Sequence, residues 1–255
     1  MLPSTYVFFA LPFAHYSIED SEYPLLFIHV QTDQRIQSPC FVRDTLVLTS
    51  NSELYVDNVR VATFGSGDGQ LNKPTSLAVF KDEIYIADTG NERIQILDFT
   101  GTYKFQFGKD MKPTGILIFQ DLVYVSDSKN NRVDVFDLKG VFLKSIGAGL
   151  LEEPQGLAVH EEKLHVANKN GIDVFLLDGS HVKTMKPGYI AKDMQIAKKG
   201  TIYFVDGNTL VRRYANSEKQ IYFKGMLKSP QSIHLINATK ILIADLDGIV
   251  ELNIA

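Results

Sequence analysis

The sequence predicts an all-β fold in which one structural unit is repeated six times, and three observations support this prediction. Short runs of β-branched and aromatic residues are bounded by Gly, Asn, Asp and Lys, as expected for short strands joined by tight turns. The same phrase returns at intervals of about 40 residues, which indicates a repeat architecture. No stretch of the 255 residues has a sustained helical period.

Composition narrows the class of protein. Hydrophobic residues make up 45% and charged residues 22% of the chain, as in ordinary globular proteins. The net charge of −4 gives no overall basic character for nucleic-acid binding. Cys40 is the single cysteine, so an internal disulfide is excluded and an intracellular, cytoplasmic location is expected, with secretion left open. No apolar run is long enough to predict a transmembrane helix.

The repeat is clearest in the copies that begin at Pro74, Pro113 and Pro154. In the first of these, an apolar run ends at Asp88, a polar turn follows, and a third run extends from Arg93 to Asp98. Each copy contains three or four such runs, which is the content of one blade of a β-propeller. Blades of this kind cover each other's faces, so the repeats are expected to form one domain.

Three weaker copies complete a six-bladed β-propeller. They begin near Ala191, Pro230 and Pro39, and the copy near Pro39 has a shortened loop. The predicted propeller spans residues 21–255, with repeats starting near 39, 74, 113, 154, 191 and 230. Residues 1–20 are predicted to be an N-terminal arm or extra strand.

The repeated phrase resembles the NHL repeat. The resemblance rests on Pro-x-Gly-Ile-Ala-Val, followed by Ile-Tyr-Val-Ala-Asp, an Asn, an Arg and Ile-x-Val-Phe, and it covers about residues 32–255. It implies a propeller that presents wide faces to a partner. Some NHL propellers bind RNA on one face, and related six-bladed propellers include lactonases and lyases that use the central channel.

The chain ends within its last repeat, which lacks an outer strand. The run from Leu25 to Gln31 precedes the first repeat in an outer-strand position. We expect it to pair with Gly248–Leu252 and close the ring, because closure removes exposed strand edges.

Aspartates end the second strand of several repeats, and we interpret them as turn caps that accept hydrogen bonds from loop N–H groups. A metal-binding ring is the alternative. The four residues are Asp88, Asp127, Asp206 and Asp245.

Two segments are candidates for partner binding. The loops on one face carry cations of a possible interaction surface, namely Lys73, Arg93, Lys112, Lys129, Arg132 and Lys169. An aromatic run in the N-terminal arm would be an exposed apolar patch if it did not dock on the propeller. Its residues are Tyr6, Phe8, Phe9, Leu11 and Phe13.

The sequence offers little catalytic chemistry. Asp193 follows Lys192 near the start of an inner strand, and we interpret it as an ion-paired or solvated charge. His160 and His165 flank one turn and are interpreted as strand-end residues, with a metal pair as the alternative. No catalytic residue, metal site or cofactor is therefore predicted.

These observations favour a non-catalytic scaffold or assembly subunit that binds protein partners and no small-molecule substrate. The first alternative is RNA binding, for which Tyr203, Tyr214 and Tyr222 lie among the cations Arg212, Arg213, Lys219 and Lys224. The second alternative is a metal-dependent channel enzyme of the lyase or lactonase type.

Overall fold

In the computed structural model of the protein, the described residues are 25–28, 36–42, 45–185, 191–214, 220–223, 227–237, 240–245 and 248–253. Within these ranges the strands form six sheets of four or five strands, and the rest is turns, bends and one short 3-10 turn at Thr89–Asn91. The prediction of an all-β, six-bladed propeller is confirmed.

Each blade is a meander of antiparallel strands that runs from the channel to the rim. Blade 1 consists of β2 (Ile36–Val42), β3 (Thr45–Ser50), β4 (Glu53–Val56) and β5 (Val59–Phe64), with the short parallel strand β6 (Gln70–Leu71). Blade 2 consists of β7 (Ser76–Phe80), β8 (Glu83–Asp88), β9 (Arg93–Asp98) and β10 (Tyr103–Phe107). Blade 3 consists of β11 (Pro113–Phe119), β12 (Leu122–Asp127), β13 (Arg132–Asp137) and β14 (Phe142–Ile146). Blade 4 consists of β15 (Leu157–His160), β16 (Lys163–Asn168), β17 (Gly171–Leu176) and β18 (His181–Met185). Blade 5 consists of β19 (Asp193–Ile196), β20 (Ile202–Asp206), β21 (Thr209–Arg213) and β22 (Gln220–Phe223). Blade 6 consists of β23 (Ser232–Leu235), β24 (Lys240–Asp245), β25 (Gly248–Asn253) and β1 (Leu25–Ile28).

The second strand of each blade is apolar on both faces because each blade is sandwiched between two others. In β8, Ile84, Tyr85, Ile86 and Ala87 are consecutive and buried. Strands buried on both sides have near-continuous apolar runs in place of the alternation of a half-exposed sheet. The runs that marked the repeats in the sequence are therefore the strands at the centre of each blade.

The core consists of hydrophobic clusters between neighbouring blades. Leu54 and Leu77 belong to the cluster between blades 1 and 2, and further clusters follow around the ring. Leu48 and Leu242 belong to the cluster that joins blade 6 to blade 1. Burying one such side chain contributes about 1.5–3 kcal/mol, so every junction is held by several large contributions.

The N-terminal strand and the last strand lie in one sheet. β1 pairs antiparallel with β25, with Phe27 opposite Val250. This pairing supplies blade 6 with its outer strand from the other end of the chain. The predicted partner-docking residues of the arm lie outside the described residues, namely Tyr6, Phe8, Phe9, Leu11 and Phe13. In the described part of the chain, no helix has the length and apolar character to span a membrane.

Candidate active site

The inner strands of the six blades enclose a central cavity of about 590 Å³. Two adjacent residues of each blade, at or just before the inner strand, line this cavity and form two rings. The first ring is Gln37, Thr75, Thr114, Gln155, Lys192 and Gln231. The second ring is Ser38, Ser76, Gly115, Gly156, Asp193 and Ser232.

The strand register determines which residues of blade 1 belong to these rings. Ile36 pairs with the last residue of β3, just as the first residue of β11 pairs with the last residue of β12. Ile36, and not Pro39, is therefore equivalent to the repeat prolines of the other blades. As a result, Ser38 occupies the second-ring position that a repeat beginning at Pro39 would give to Phe41.

Asp193 is the acidic member of the two rings. Its Oδ1 accepts a hydrogen bond from the N–H of Met194 at 2.9 Å, and its Oδ2 accepts one from the N–H of Ile233 at 2.9 Å. The second bond joins blade 5 to blade 6. No salt bridge to Asp193 is formed within the described residues, so the sequence interpretation of an ion pair with Lys192 does not hold there.

Burial raises the pKa of Asp193 to about 7, although the hydrogen bonds from Ile233 and Met194 act in the opposite direction. Desolvation disfavours the charged form of a carboxyl group, and no nearby cation among the described residues offsets it. A carboxyl group with a pKa near neutrality can both accept and donate a proton at physiological pH.

Gly156 leaves room for Asp193. A Cβ atom at this glycine would lie 2.7 Å from Cα of Asp193 and 2.8 Å from its Oδ1. Both distances are below any normal contact, so a side chain at position 156 would displace the carboxyl group. The channel wall of blade 4 is therefore shaped to let this acid approach closely.

Hydroxyl groups of the first ring tie the inner strands together. Thr114 Oγ1 donates to the carbonyl oxygen of Pro154 at 2.6 Å, and Thr75 Oγ1 donates to that of Thr114 at 3.1 Å. Both bonds cross from one blade to the next. They hold the strand starts, and with them the ring residues, in fixed relative positions.

The polar groups of the cavity do not form a metal centre of the usual kind. Calcium binds six to eight oxygen ligands, commonly including several carboxylates. In the described part of the chain, no group of three or more His, Cys, Asp or Glu residues is close enough to hold an ion. The cavity is lined by the carboxyl groups of Asp193 and Glu153, by His234, by two lysines and by neutral amides and hydroxyls, so it lacks the group of carboxylates that commonly holds calcium.

The aspartates that end the second strands accept hydrogen bonds from loop N–H groups. Asp88 Oδ1 accepts from Asn72 at 2.7 Å, and Asp127 Oδ1 accepts from Lys112 at 3.0 Å. Asp245 accepts from two consecutive loop residues. Asp206 ends β20, and its side chain lies outside the described set.

Most cations of the predicted interaction surface are engaged within the protein. The Nε of Arg93 donates to Asp88 at 2.8 Å, and its guanidinium also donates to Gln106 and to two carbonyl oxygens. Three others form ion pairs, namely Arg132 with Asp134, Lys129 with Glu92, and Lys169 with Glu152 and Glu153. Lys73 and Lys112 are exposed.

The structure assembles only part of each of two groups predicted from the sequence, the histidine pair and the cluster of tyrosines and cations around Arg212. His165 is buried, which lowers its pKa to about 4, whereas His160 lies 3.7 Å from Glu161. Arg212 stacks on Tyr214 with its Cζ 4.9 Å from the ring centroid. Lys219 and Lys224 lie outside the described residues, and RNA binding stays a prediction.

Known proteins resemble this chain in sequence and in fold. A model of the NHL repeat matches residues 71–97. The protein brain tumor of Drosophila melanogaster is 49% identical over 47 residues, which are 18% of this chain and 4% of that protein. The fold matches a gluconolactonase from Xanthomonas campestris with a TM-score of 0.76 at 14% identity, over 91% of this chain and 90% of that chain. It matches virginiamycin B lyase from Staphylococcus aureus with a TM-score of 0.67 at 14% identity, over 92% and 100%.

The chain is a six-bladed β-propeller that contains an NHL repeat at residues 71–97, as the repeated phrase predicted. The comparisons also correct the expectation of a non-catalytic scaffold that is not an enzyme. Two of the structures that share nearly the whole ring are a gluconolactonase and virginiamycin B lyase. The sequence showed no catalytic motif, and Asp193 was interpreted as an ion-paired or solvated charge, so catalysis was discounted.

Proposed function

We propose that this propeller is a channel enzyme of the lactonase type, in which Asp193 is the general acid–base group that opens a cyclic ester. The observation that carries the proposal is the position of the Asp193 carboxyl group in the central cavity, with a pKa of about 7. The likeness of the ring to a gluconolactonase and to virginiamycin B lyase supports the same class of activity.

The cavity suits a small, neutral substrate. Its volume of about 590 Å³ is within the usual range for small-molecule sites. Five of the six first-ring residues carry uncharged amide or hydroxyl groups, and the sixth is Lys192. Such groups orient a polar ring by hydrogen bonding and do not require a charged substrate.

The proposed reaction is hydrolysis with Asp193 as the proton carrier. The Asp193 carboxylate removes a proton from a water molecule as its oxygen bonds to the ester carbonyl carbon. The ring C–O bond then breaks, and the protonated carboxyl group returns the proton to the leaving oxygen. Lactone and water thus become one hydroxy acid, and Asp193 regains its initial charge. General acid–base catalysis of this kind contributes about 10²–10⁴-fold in rate.

The backbone holds the carboxyl group for this role. The N–H groups of Met194 and Ile233 each bond to a different carboxylate oxygen, which fixes the rotation of the side chain. Further lone pairs on both oxygens remain for water and substrate. Because Ile233 belongs to blade 6, the alignment of the acid depends on the junction of two blades.

The test is turnover of a lactone panel by the purified protein and by Asp193→Asn, with the product analysed in heavy-oxygen water. Hydrolysis places the heavy oxygen in the new carboxyl group, and we expect Asp193→Asn to reduce kcat by about 100-fold or more. Glu152→Gln is the matched control, because the Glu152 side chain is 46% exposed, pairs with Lys169 and does not itself line the cavity. Full activity in Asp193→Asn, or no turnover of any lactone, contradicts the proposal. A product with a new C=C bond and no heavy oxygen assigns lyase chemistry instead.

A further inference from the structure

Blades 1, 2 and 5 repeat one hydrogen bond along the second ring. Ser38 Oγ accepts from the N–H of Leu77 at 3.2 Å, and Ser76 Oγ accepts from the N–H of Ile116 at 3.3 Å. Asp193 accepts from Ile233 in the same way. In each case the ring side chain receives the backbone N–H of the next blade.

Ser232 breaks this pattern. The residue is 6% exposed, and its Oγ is buried without a hydrogen-bond partner within the described residues. The next blade in the ring is blade 1, where the register places Pro39 at the position of Leu77 and Ile116. Proline has no N–H to donate. The missing bond therefore follows directly from one residue of the sequence.

A second unpaired oxygen lies on the adjacent inner strand. The Oε1 of Gln37, a first-ring residue of blade 1, is also buried without a partner in the described structure. Several buried side-chain atoms of the described residues lack a hydrogen-bond partner, and among them only the Ser232 and Gln37 oxygens belong to residues that line the cavity. Buried polar groups without partners are rare because they are costly, and a functional role is one reason to retain them.

We infer that Ser232 and Gln37 form a subsite at the junction of blades 6 and 1 that accepts hydrogen bonds from a ring-shaped ligand. The ligand chemistry is a neutral donor, either the hydroxyl group of a sugar-like ring or the amide N–H of a cyclic peptide. A ligand donor at Ser232 Oγ takes the place of the N–H that Pro39 lacks.

The subsite lies next to the proposed acid, and in this respect the inference rests on the proposed function. Asp193 bonds to Ile233, which directly follows Ser232 in the chain. A substrate that is held by Ser232 and Gln37 therefore has its ring beside the Asp193 carboxyl group. Ser232 and Gln37 act as positioning residues, and Pro39 leaves the Ser232 oxygen without a competing backbone donor.

The test measures binding of two non-reactive probes by ligand-observed NMR titration. Anhydroglucitol carries hydroxyl donors, and cyclo(Gly-Gly) carries amide N–H donors. Ser232→Ala removes the acceptor, whereas Pro39→Ala restores the backbone N–H that competes for it. We expect each variant to raise the Kd of the preferred probe by about three- to tenfold, the effect of one lost hydrogen bond. The preferred probe identifies which donor the subsite takes.

Ser76→Ala is the matched reference, since the Ser76 Oγ is already engaged by Ile116. We expect its Kd to stay within about twofold of the wild-type value. Thermal unfolding of every variant verifies that the ring is intact, and Gln37→Leu provides a second test if Pro39→Ala does not fold. Unchanged Kd values in Ser232→Ala and Gln37→Leu, or binding of neither probe to the wild type, overturns the inference.

The two proposals fail separately. If probe binding depends on Ser232 and Pro39 but no lactone is turned over, the subsite stands and the lactonase proposal falls. If lactone turnover depends on Asp193 but probe binding ignores Ser232 and Pro39, the lactonase proposal stands and the subsite falls.

Discussion

The turn of blade 2 and the channel wall of blade 5 each hold an aspartate away from bulk water, in different surroundings. Asp88 is fully buried and bonds to a loop N–H, to the amide of Asn91 and to the guanidinium of Arg93 at 2.8 Å. Asp193 receives two backbone N–H groups and, within the described residues, no cation. A paired carboxylate stabilises a turn, whereas an unpaired one retains an elevated pKa and is available for proton transfer.

Removing the paired aspartate is expected to have the largest effect on stability. Asp88→Ala leaves the Arg93 side chain, which is 11% exposed, without its counter-charge and frees the loop N–H of Asn72. We expect the free energy of unfolding to fall by about 3–5 kcal/mol, measured by urea denaturation. Arg60→Ala, at a pair whose cation is 55% exposed, is the control and should change little. Equal losses in the two variants would contradict the structural role of Asp88.

A methyl group at Gly156 is expected to disturb the channel acid from the neighbouring blade. Gly156→Ala places a Cβ 2.8 Å from Asp193 Oδ1, so blades 4 and 5 must separate or the carboxyl group must move. We expect a loss of about 1–3 kcal/mol in stability together with reduced lactone turnover. At Gly67 the nearest atom to an added Cβ is the end of a flexible Gln70 side chain, so Gly67→Ala should be tolerated. Normal turnover in Gly156→Ala would mean that the position of Asp193 is unimportant.

The unpaired aspartate makes stability depend on pH in a direction opposite to that of a salt-bridged acid. Its pKa is about 7 in the folded chain and about 3.9 when unfolded, so the folded state binds the proton more tightly between these values. Its contribution to stability is therefore fully present below about pH 4 and is lost as pH rises through about 7.

Comparison with a neutral side chain isolates this effect. Relative to Asp193→Asn, the wild type should lose up to about 1.4 kcal/mol of unfolding free energy for each pH unit across that window. Denaturation of both proteins over the same buffers provides the difference. A constant difference would show that Asp193 titrates as a solvated carboxyl group.

The smallest effect is expected at the exposed cations of the turn face. Lys129 is 45% exposed and pairs with Glu92, which is 52% exposed, so solvent screens the pair. Lys129→Ala should leave the thermal midpoint unchanged within error in a scanning fluorescence measurement. A clear drop would indicate that the turn face contributes to stability as a network.

The fold could be predicted from the sequence because the features that determine it are local and are repeated in each blade. The apolar run before Asp88, the polar turn and Arg93 all belong to one hairpin, and the same arrangement returns in the next blade. The start of blade 1 was harder to locate, because Pro39 has the identity of a repeat proline but not its place in the register.

The candidate site could not be predicted in the same way, because the burial and the hydrogen bonding of Asp193 depend on contacts between blades. The surroundings of Asp193 depend on Gly156 in blade 4 and on the N–H of Ile233 in blade 6. One signal in the sequence could have pointed to it. With Ile36 as the first position of blade 1, the second ring contains Ser or Gly in five blades and an acid in one.

The most direct test of the account is the pH dependence of kcat/KM for lactone opening. If Asp193 is the base, the rate should rise as pH increases through about 7 and level off above it, because the carboxylate is the active form. The residual rate of Asp193→Asn should lack this step, while Glu152→Gln should retain it. A wild-type profile that levels off near pH 4, or a step at pH 7 that survives in Asp193→Asn, would contradict the assignment of Asp193 as the catalytic group.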